Sequence, residues 1–324
     1  MSAMVMGVDA GATTTRCVVA TLDGVVVGRG TAGGANANSS GGEMSAALGL
    51  ALAAALGTVD RTAVLGGILG AAGSAGAGRE RFRAAARQAW QDAGLRGEMD
   101  TVTDLEVAFA AGSAEPDGVL LLAGTGALAA RFWGGVLDRR CDGYGWLLGD
   151  EGSAVWIGIR ALRAGLAALD GRGEATVLRE VLPAYFSIEA DRNEDVAQAL
   201  LARAFAVPPA ELGRLAPLTG EAAERGDPVA TAICARAAEK LLHTYDTIGP
   251  ARNTVIAGSV LLNPGPVSRA VRAGLLARTA TPPRPALDGA AGAAALAIGR
   301  LTGAPVPPVM HARLTGSTHD PNRE

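Results

Sequence analysis

Two segments of this chain have the make-up of phosphate cradles. Gly11-Ala12-Thr13-Thr14, just after Asp9, and Gly124-Thr125-Gly126 each set glycine and threonine between apolar runs. Glycine lets a backbone come close to a polyphosphate, and successive N–H groups and hydroxyls donate to its oxygens. Either segment alone reads more readily as an ordinary hairpin turn, so it is the repetition that carries weight. Asp9, ending the first apolar run, could hold Mg2+ beside such phosphates or serve as an Asx turn residue. Asp104, at the end of a short strand pattern over 99–103, could accept a proton from an attacking hydroxyl or cap the segment that follows. The most unusual stretch is 142–153, which gathers Gly143, Gly145, Gly149 and Gly152 with Tyr144, Trp146, Asp142, Asp150 and Glu151. Ordering so many glycines costs conformational entropy that a bound ligand would offset, and adjacent Asp150 and Glu151 suit the hydroxyls of a polyol. The plain alternative is a structural turn capped by Ser153.

The elements that must position these residues repeat. Residues 4–9, the Gly/Thr turn, 16–22, the Asp23-Gly24 turn and 25–27 read as strand, turn, strand, turn, strand. Gly118–Ala123, the turn Gly124-Thr125-Gly126, Ala127–Trp133, Gly134-Gly135 and 136–137 give the same series again. A duplication of this kind is a statement about fold. Gly124-Thr125-Gly126-Ala127-Leu128-Ala129 also fits the dinucleotide fingerprint Gly-x-Gly-x-x-Ala, but that motif needs a helix at once, and 127–133 reads as strand. Helical patterns are expected over 43–56, 79–93, 153–169, 191–205, 228–247, 266–278 and 289–301, with strands over 63–69 and 254–257. A Gly/Asn/Ser-rich loop spans 33–42. The Pro-rich stretch from Gly303, which contains His311 and His319, reads as disordered.

Composition closes off other chemistry. Lys240 is the only lysine, so neither a Schiff base elsewhere nor a Walker A loop is available. His243 has no Gly-x-Ser-x-Gly elbow to serve. Cys17, Cys141 and Cys234 are far apart and form no Cys-x-x-Cys pair, a pattern of reduced thiols in a cytosol. A net charge of -3 gives no footprint for nucleic acid. No basic leader or membrane-length apolar run is present, so the expectation is a cytoplasmic protein with no membrane association. The 324 residues suggest two domains.

In this order the segments resemble the N-acetylglucosamine kinases and related BadF/BadG/BcrA/BcrD-type ATPases of the actin/hexokinase superfamily. The likeness runs over most of residues 4 to 302. Asp9-Ala10-Gly11-Ala12-Thr13-Thr14-Thr15 is similar to the first phosphate segment, Asn36 falls in the sugar loop, and Thr103-Asp104 matches the segment with the catalytic aspartate. Gly124-Thr125-Gly126 is similar to the second phosphate segment and Gly258-Ser259 to the adenosine segment. Gly143-Tyr144-Gly145-Trp146-Leu147-Leu148-Gly149-Asp150-Glu151-Gly152-Ser153 is the most specific match, to the family's sugar-loop signature.

The resemblance implies an α/β, duplicated actin-like (ribonuclease H-like) ATPase fold, with two lobes and a central cleft. The lobes are expected over 1–112 and 113–303, the final helix (289–302) returning toward the hinge, with a tail over 304–324. It also implies an ATP-dependent kinase for an amino sugar, N-acetylglucosamine at its 6-hydroxyl, with Mg2+ and a homodimer. Glucosamine or an N-acetylmuramyl sugar is the alternative. From other classes come an activator-type ATPase with an iron–sulfur cluster and a sugar sensor without turnover. Asp104 would be the general base and Asp9 a Mg2+ residue. Gly11, Ala12, Thr13, Thr14, Gly124, Thr125, Gly126, Gly258 and Ser259 would hold ATP. Asn36, Asp104, Thr125, Gly143, Tyr144, Gly145 and Asp150 would hold the sugar. The chain departs from the family pattern at Ala12, at Thr14, where a basic residue is usual, and at Ala127, where serine is usual.

Overall fold

The computed structural model of the chain describes residues 2–11, 14–35, 44–71, 78–189 and 193–316. The expected site residues Ala12, Thr13 and Asn36 lie outside them. The chain divides into two compact units: Met1–Gly118 with Phe132–Leu137 and Arg284–Glu324, and Val119–Arg131 with Asp138–Pro283.

In the first unit, Met4–Ala10 (β1), Thr14–Thr21 (β2) and Val26–Gly33 (β3) form an antiparallel meander. Met44–Leu56 (α1) then leads to Val64–Ala71 (β4), and Arg79–Asp92 (α2) to Glu98–Thr103 (β5); both strands extend the sheet in parallel, giving the order β3-β2-β1-β4-β5. Asp104–Gly112 (α3) follows directly. Strand alternation divides the core between the two faces. Met6 and Val8 pack with Leu48, Leu52 and Trp90, while Val5, Val18 and Ile68 meet the other side.

β3 is longer than the reading 25–27. Gly28 and Gly30 look like loop residues, but a Cβ on either would strike the Ala55 or Ala51 carbonyl of α1, at 2.0 Å and 2.2 Å. They are strand residues kept bare so that the helix can lie close.

The second sheet has the order β10-β9-β6-β7-β8, from Gly118–Ala123 (β6), Ala127–Trp133 (β7), Val136–Asp142 (β8), Thr254–Ala257 (β9) and Arg284–Pro285 (β10). Matched strand by strand this is the first sheet again, and β6 pairs in parallel with β9 as β1 does with β4. The duplication read in the sequence is therefore real. Between β8 and β9 the chain inserts helices Ala154–Leu169 (α4), Leu178–Tyr185 (α5), Asn193–Ala206 (α6), Ala216–Glu224 (α7) and Pro228–Ile248 (α8). The short Ser259–Leu262 (α9) and Pro266–Thr279 (α10) follow β9. The core of this unit is aliphatic with Tyr245 buried at its centre.

Gly289–Thr302 (α11) differs from the expected assignment to the second lobe. Its alanines 290, 291, 293 and 294 close the second face of the first sheet, and a Cβ on Gly7 of β1 would meet the Ala290 carbonyl at 2.1 Å. Beyond it, where disorder is expected, Pro308–Thr315 is a helix (α12) with His311, Leu314 and Thr315 buried. Prolines mislead here because Pro308 occupies the first helical turn, where its missing N–H costs nothing. No helix among the described residues is long and apolar enough to cross a membrane.

Candidate active site

In the first unit the site forms at the C-terminal ends of parallel strands, the ligand-facing side of such sheets. Registers align Ala10 with Ala71 and Ala71 with Thr103, so β1, β4 and β5 end level. Asp9 precedes that level by one residue and Asp104 follows it. The two strand spacings between them amount to roughly 10 Å.

Asp104 is the first residue of α3, not its cap. Thr103 takes that role: its hydroxyl accepts from the Glu106 N–H while the Glu106 carboxylate accepts from the Thr103 N–H at 2.8 Å. The structural reading of Asp104 as a helix cap thus falls away.

Asp9 lies against the start of α11, where a Cβ on Gly289 would meet its carboxylate at 2.3 Å. Burial pushes the Asp9 pKa up to about 6; Arg16 opposes the shift, and the negative charges of Asp104 and Asp288 add to it. Asp288 caps α11 by accepting from the Ala291 N–H and binds Arg29 at 2.5 Å. Arg16 is a residue that sequence reading missed. It stands directly opposite Asp9 in the β1–β2 ladder and is exposed. Residues two apart on a strand share a face, so Arg16 projects on the same side as Thr14. The signal was available: the positive charge absent from position 14 is present at 16.

In the second unit, the turn Gly124-Thr125-Gly126 closes with the Gly124 N–H donating to the Gly126 carbonyl at 2.9 Å. Gly258, at φ +88, lies against it, and a Cβ there would strike the Ala123 carbonyl at 2.3 Å. Gly258 and Ser259 are thereby brought to Gly124. Asp150 joins them, since a Cβ on Gly126 would meet its Oδ2 at 2.9 Å. Burial raises the Asp150 pKa, and the N–H groups of Ala127 and Gly145 counter by hydrogen bonding to its carboxylate.

The loop bearing Gly143, Tyr144 and Gly145 is held by a residue assigned no role in advance. Asp142 accepts from the N–H groups of Gly143 and Asp150 at 2.8 Å and of Glu151 at 2.9 Å. Asp142 and Asp150 both have left-handed backbones, at φ 65 and φ 54, a conformation that aspartate tolerates better than most residues. Tyr144, Trp146, Leu147 and Leu148 are all exposed. Glu151 turns away to pair with Lys240 of α8 at 2.9 Å. Replacing Asp142 by alanine leaves three N–H groups without their acceptor. The expected cost is about 1–3 kcal/mol of stability, with the loop becoming the first site of proteolytic cleavage. Unchanged cleavage kinetics would show that the loop is held by other means.

The BadF/BadG/BcrA/BcrD ATPase family matches residues 6–297. The chain belongs to that family. Among curated members and relatives, it is 29% identical over 238 residues to the N-acetylmuramic acid/N-acetylglucosamine kinase of Clostridium acetobutylicum, spanning 73% of this chain and 76% of that protein. It is 33% identical over 136 residues to the N-acetyl-D-glucosamine kinase of Dictyostelium discoideum, spanning 40% of this chain and 39% of that one. A solved structure from Chromobacterium violaceum, described as a candidate N-acetylglucosamine kinase, superposes with a TM-score of 0.70 at 23% identity, covering 92% of this chain and 99% of its own. This BadF/BadG/BcrA/BcrD member therefore shares that α/β fold over nearly its full described length.

Proposed function

We propose that the protein is an ATP-dependent amino-sugar kinase that transfers the γ-phosphate of ATP to the 6-hydroxyl of N-acetylglucosamine. The observation that carries the reading is the placement of Asp104: at the strand-end level beside Asp9, with helix capping done by Thr103 and Glu106. The two curated relatives, both amino-sugar kinases by name, support the same substrate class.

Asp104 accepts the proton of the attacking hydroxyl. Gly11, Thr14, Gly124, Thr125 and Gly126 present N–H groups and hydroxyls to the phosphates, and Gly258 with Ser259 borders the nucleotide. Asp150 with the Gly143-Tyr144-Gly145 turn takes the sugar hydroxyls, and Ala12, Thr13 and Asn36 belong to the same assignment. Asp9 fits a Mg2+ ion. Among the described residues no cluster of three or more ligating side chains exists, and Mg2+ needs none, since it keeps most of its waters and draws other oxygens from phosphates. Bound there, it would neutralise charge on the phosphate oxygens. Homodimer formation and a cytoplasmic setting complete the proposal.

Arg16 supplies the charge missing at Thr14. Arg16→Gln should raise the ATP KM about tenfold or more, the range for one lost charge-assisted hydrogen bond. The double variant with Thr14→Lys should recover most of it, because positions 14 and 16 share a face. An unaltered ATP KM in Arg16→Gln would remove Arg16 from the site.

An N-acetylmuramyl sugar is the second reading, favoured by the name of the Clostridium relative. An iron–sulfur activator fits poorly, because Cys17 and Cys234 are buried in separate apolar cores and Cys17, Cys141 and Cys234 form no Cys-x-x-Cys pair. The deciding experiment is an ADP-release assay over N-acetylglucosamine, glucosamine and N-acetylmuramic acid, with Mg2+ and with EDTA. Phosphorylation of none of the three would refute the reading.

A further inference from the structure

α12 is tied into the first unit at several points. It touches three other parts of the first unit. Met310 lies over the β2–β3 turn, where a Cβ on Gly24 would meet its Cγ at 2.5 Å, and Arg313 donates to the Asp23 carbonyl at 3.1 Å. Leu314 is fully buried in the cluster that includes the alanines of α11. The third contact is buried and polar: His311 Nε2 lies 2.6 Å from the Ala110 carbonyl of α3.

That carbonyl is one of the last four of α3, which have no partner inside the helix. Its neighbour Phe109 is answered locally by the Ser113 N–H at 3.0 Å. A carbonyl accepts only, so the facing nitrogen carries the proton and His311 is the donor. Burial and the charge of Arg284 favour the neutral ring, which is then the Nε2–H tautomer. The helix held in this way is the one that begins with Asp104. Six residues of α-helix, about 9 Å, separate the two ends. A Cβ on Gly292 of α11 would meet the Val107 carbonyl near the middle of α3 at 2.7 Å and the Ala111 N–H near its far end at 2.6 Å, so α3 rests on α11 over its second half. His311 adds a polar tie at that far end.

We propose that His311 is a positioning residue for phosphoryl transfer: by donating to the Ala110 carbonyl it sets the tilt of α3 and thus where the Asp104 carboxylate stands. A rigid helix turns a small displacement at one end into a comparable one at the other, and general bases lose efficiency steeply with misplacement. The inference rests on the kinase reading and on Asp104 as its base.

The test uses the full-length protein. His311→Ala should lower kcat about tenfold while both KM values stay within about twofold, because none of the residues assigned to either substrate lies on α12. His311→Gln, which keeps a donor at similar reach, should restore most of kcat, and His311→Leu, similar in size but without a donor, should not. The Gln/Leu pair decides the matter if the alanine variant fails to fold. Leu314→Ala loosens the same helix without touching Ala110, so it should lower Tm and leave kcat near normal. Amide exchange over α3 should quicken in His311→Leu and not in His311→Gln. Full kcat in a folded His311→Leu, no recovery with Gln, or an equal kcat loss in Leu314→Ala would each overturn the proposal. If the wild-type enzyme phosphorylates none of the amino sugars, it is the kinase reading that fails, and the exchange data still judge the His311–α3 link.

Discussion

Asp104→Asn should cut kcat by about 10²–10⁴-fold, the usual range for loss of a general base, with the sugar KM changed little. Asparagine keeps the shape of the side chain and, because Thr103 is the cap, forfeits only the charge–dipole interaction of the first turn, about 0.3–1 kcal/mol, so the substitution separates chemistry from folding. The Thr103–Glu106 box stays intact, and Tm should therefore hold within a degree or two. Steady-state kinetics with a thermal melt measure both quantities. A variant with kcat within tenfold of wild type would move the base elsewhere. A large fall in Tm would return Asp104 to a structural role.

Asp9→Asn should disable the enzyme and stabilise it at the same time. Loss of the carboxylate is expected to weaken apparent Mg2+ affinity by about 10–100-fold. The stability gain follows from linkage. The folded protein holds the Asp9 proton up to about pH 6, whereas the unfolded chain releases it near 3.8. Between those values the native state binds more protons, so its stability falls as pH rises, and above pH 6 the full penalty stands. The difference amounts to about 2–3 kcal/mol. Asparagine does not titrate, so the variant should melt roughly 3–5 °C higher at pH 7.5, and about half of that gain should remain at pH 5. A gain that does not depend on pH, or none at all, would mean that Asp9 carries no such strain.

Which features could be read from sequence follows from where their causes lie. The strand-end positions of Asp9 and Asp104, and the turn Gly124-Thr125-Gly126 between two strands, were legible because a strand ends where its apolar run stops. The repeated strand pattern was legible because buried strands are plain apolar runs. β3 was not, since its cause is α1 lying on Gly28 and Gly30, a contact made with residues far along the chain. α12 was hidden by its prolines, and its anchor, His311, gains meaning only through Ala110. Asp142 escaped for a similar reason. Its work is done by backbone geometry, three N–H groups turned onto one carboxylate, and nothing in its type distinguishes it from its neighbours Asp138 and Asp150.

The way α11 completes the first sheet sets an order of assembly on the ribosome. Val5, Val18, Ala20 and Ile68 pack against alanines that emerge only after residue 289. The second unit and its sheet are complete once residue 285 has left the exit tunnel. At about 5–20 residues per second, roughly ten to forty seconds pass between synthesis of the first five strands and arrival of the helix that covers them. The unit whose sequence begins the protein is the later one to finish folding. Meanwhile one apolar face of its sheet stands open in the nascent chain, a natural landing place for a chaperone.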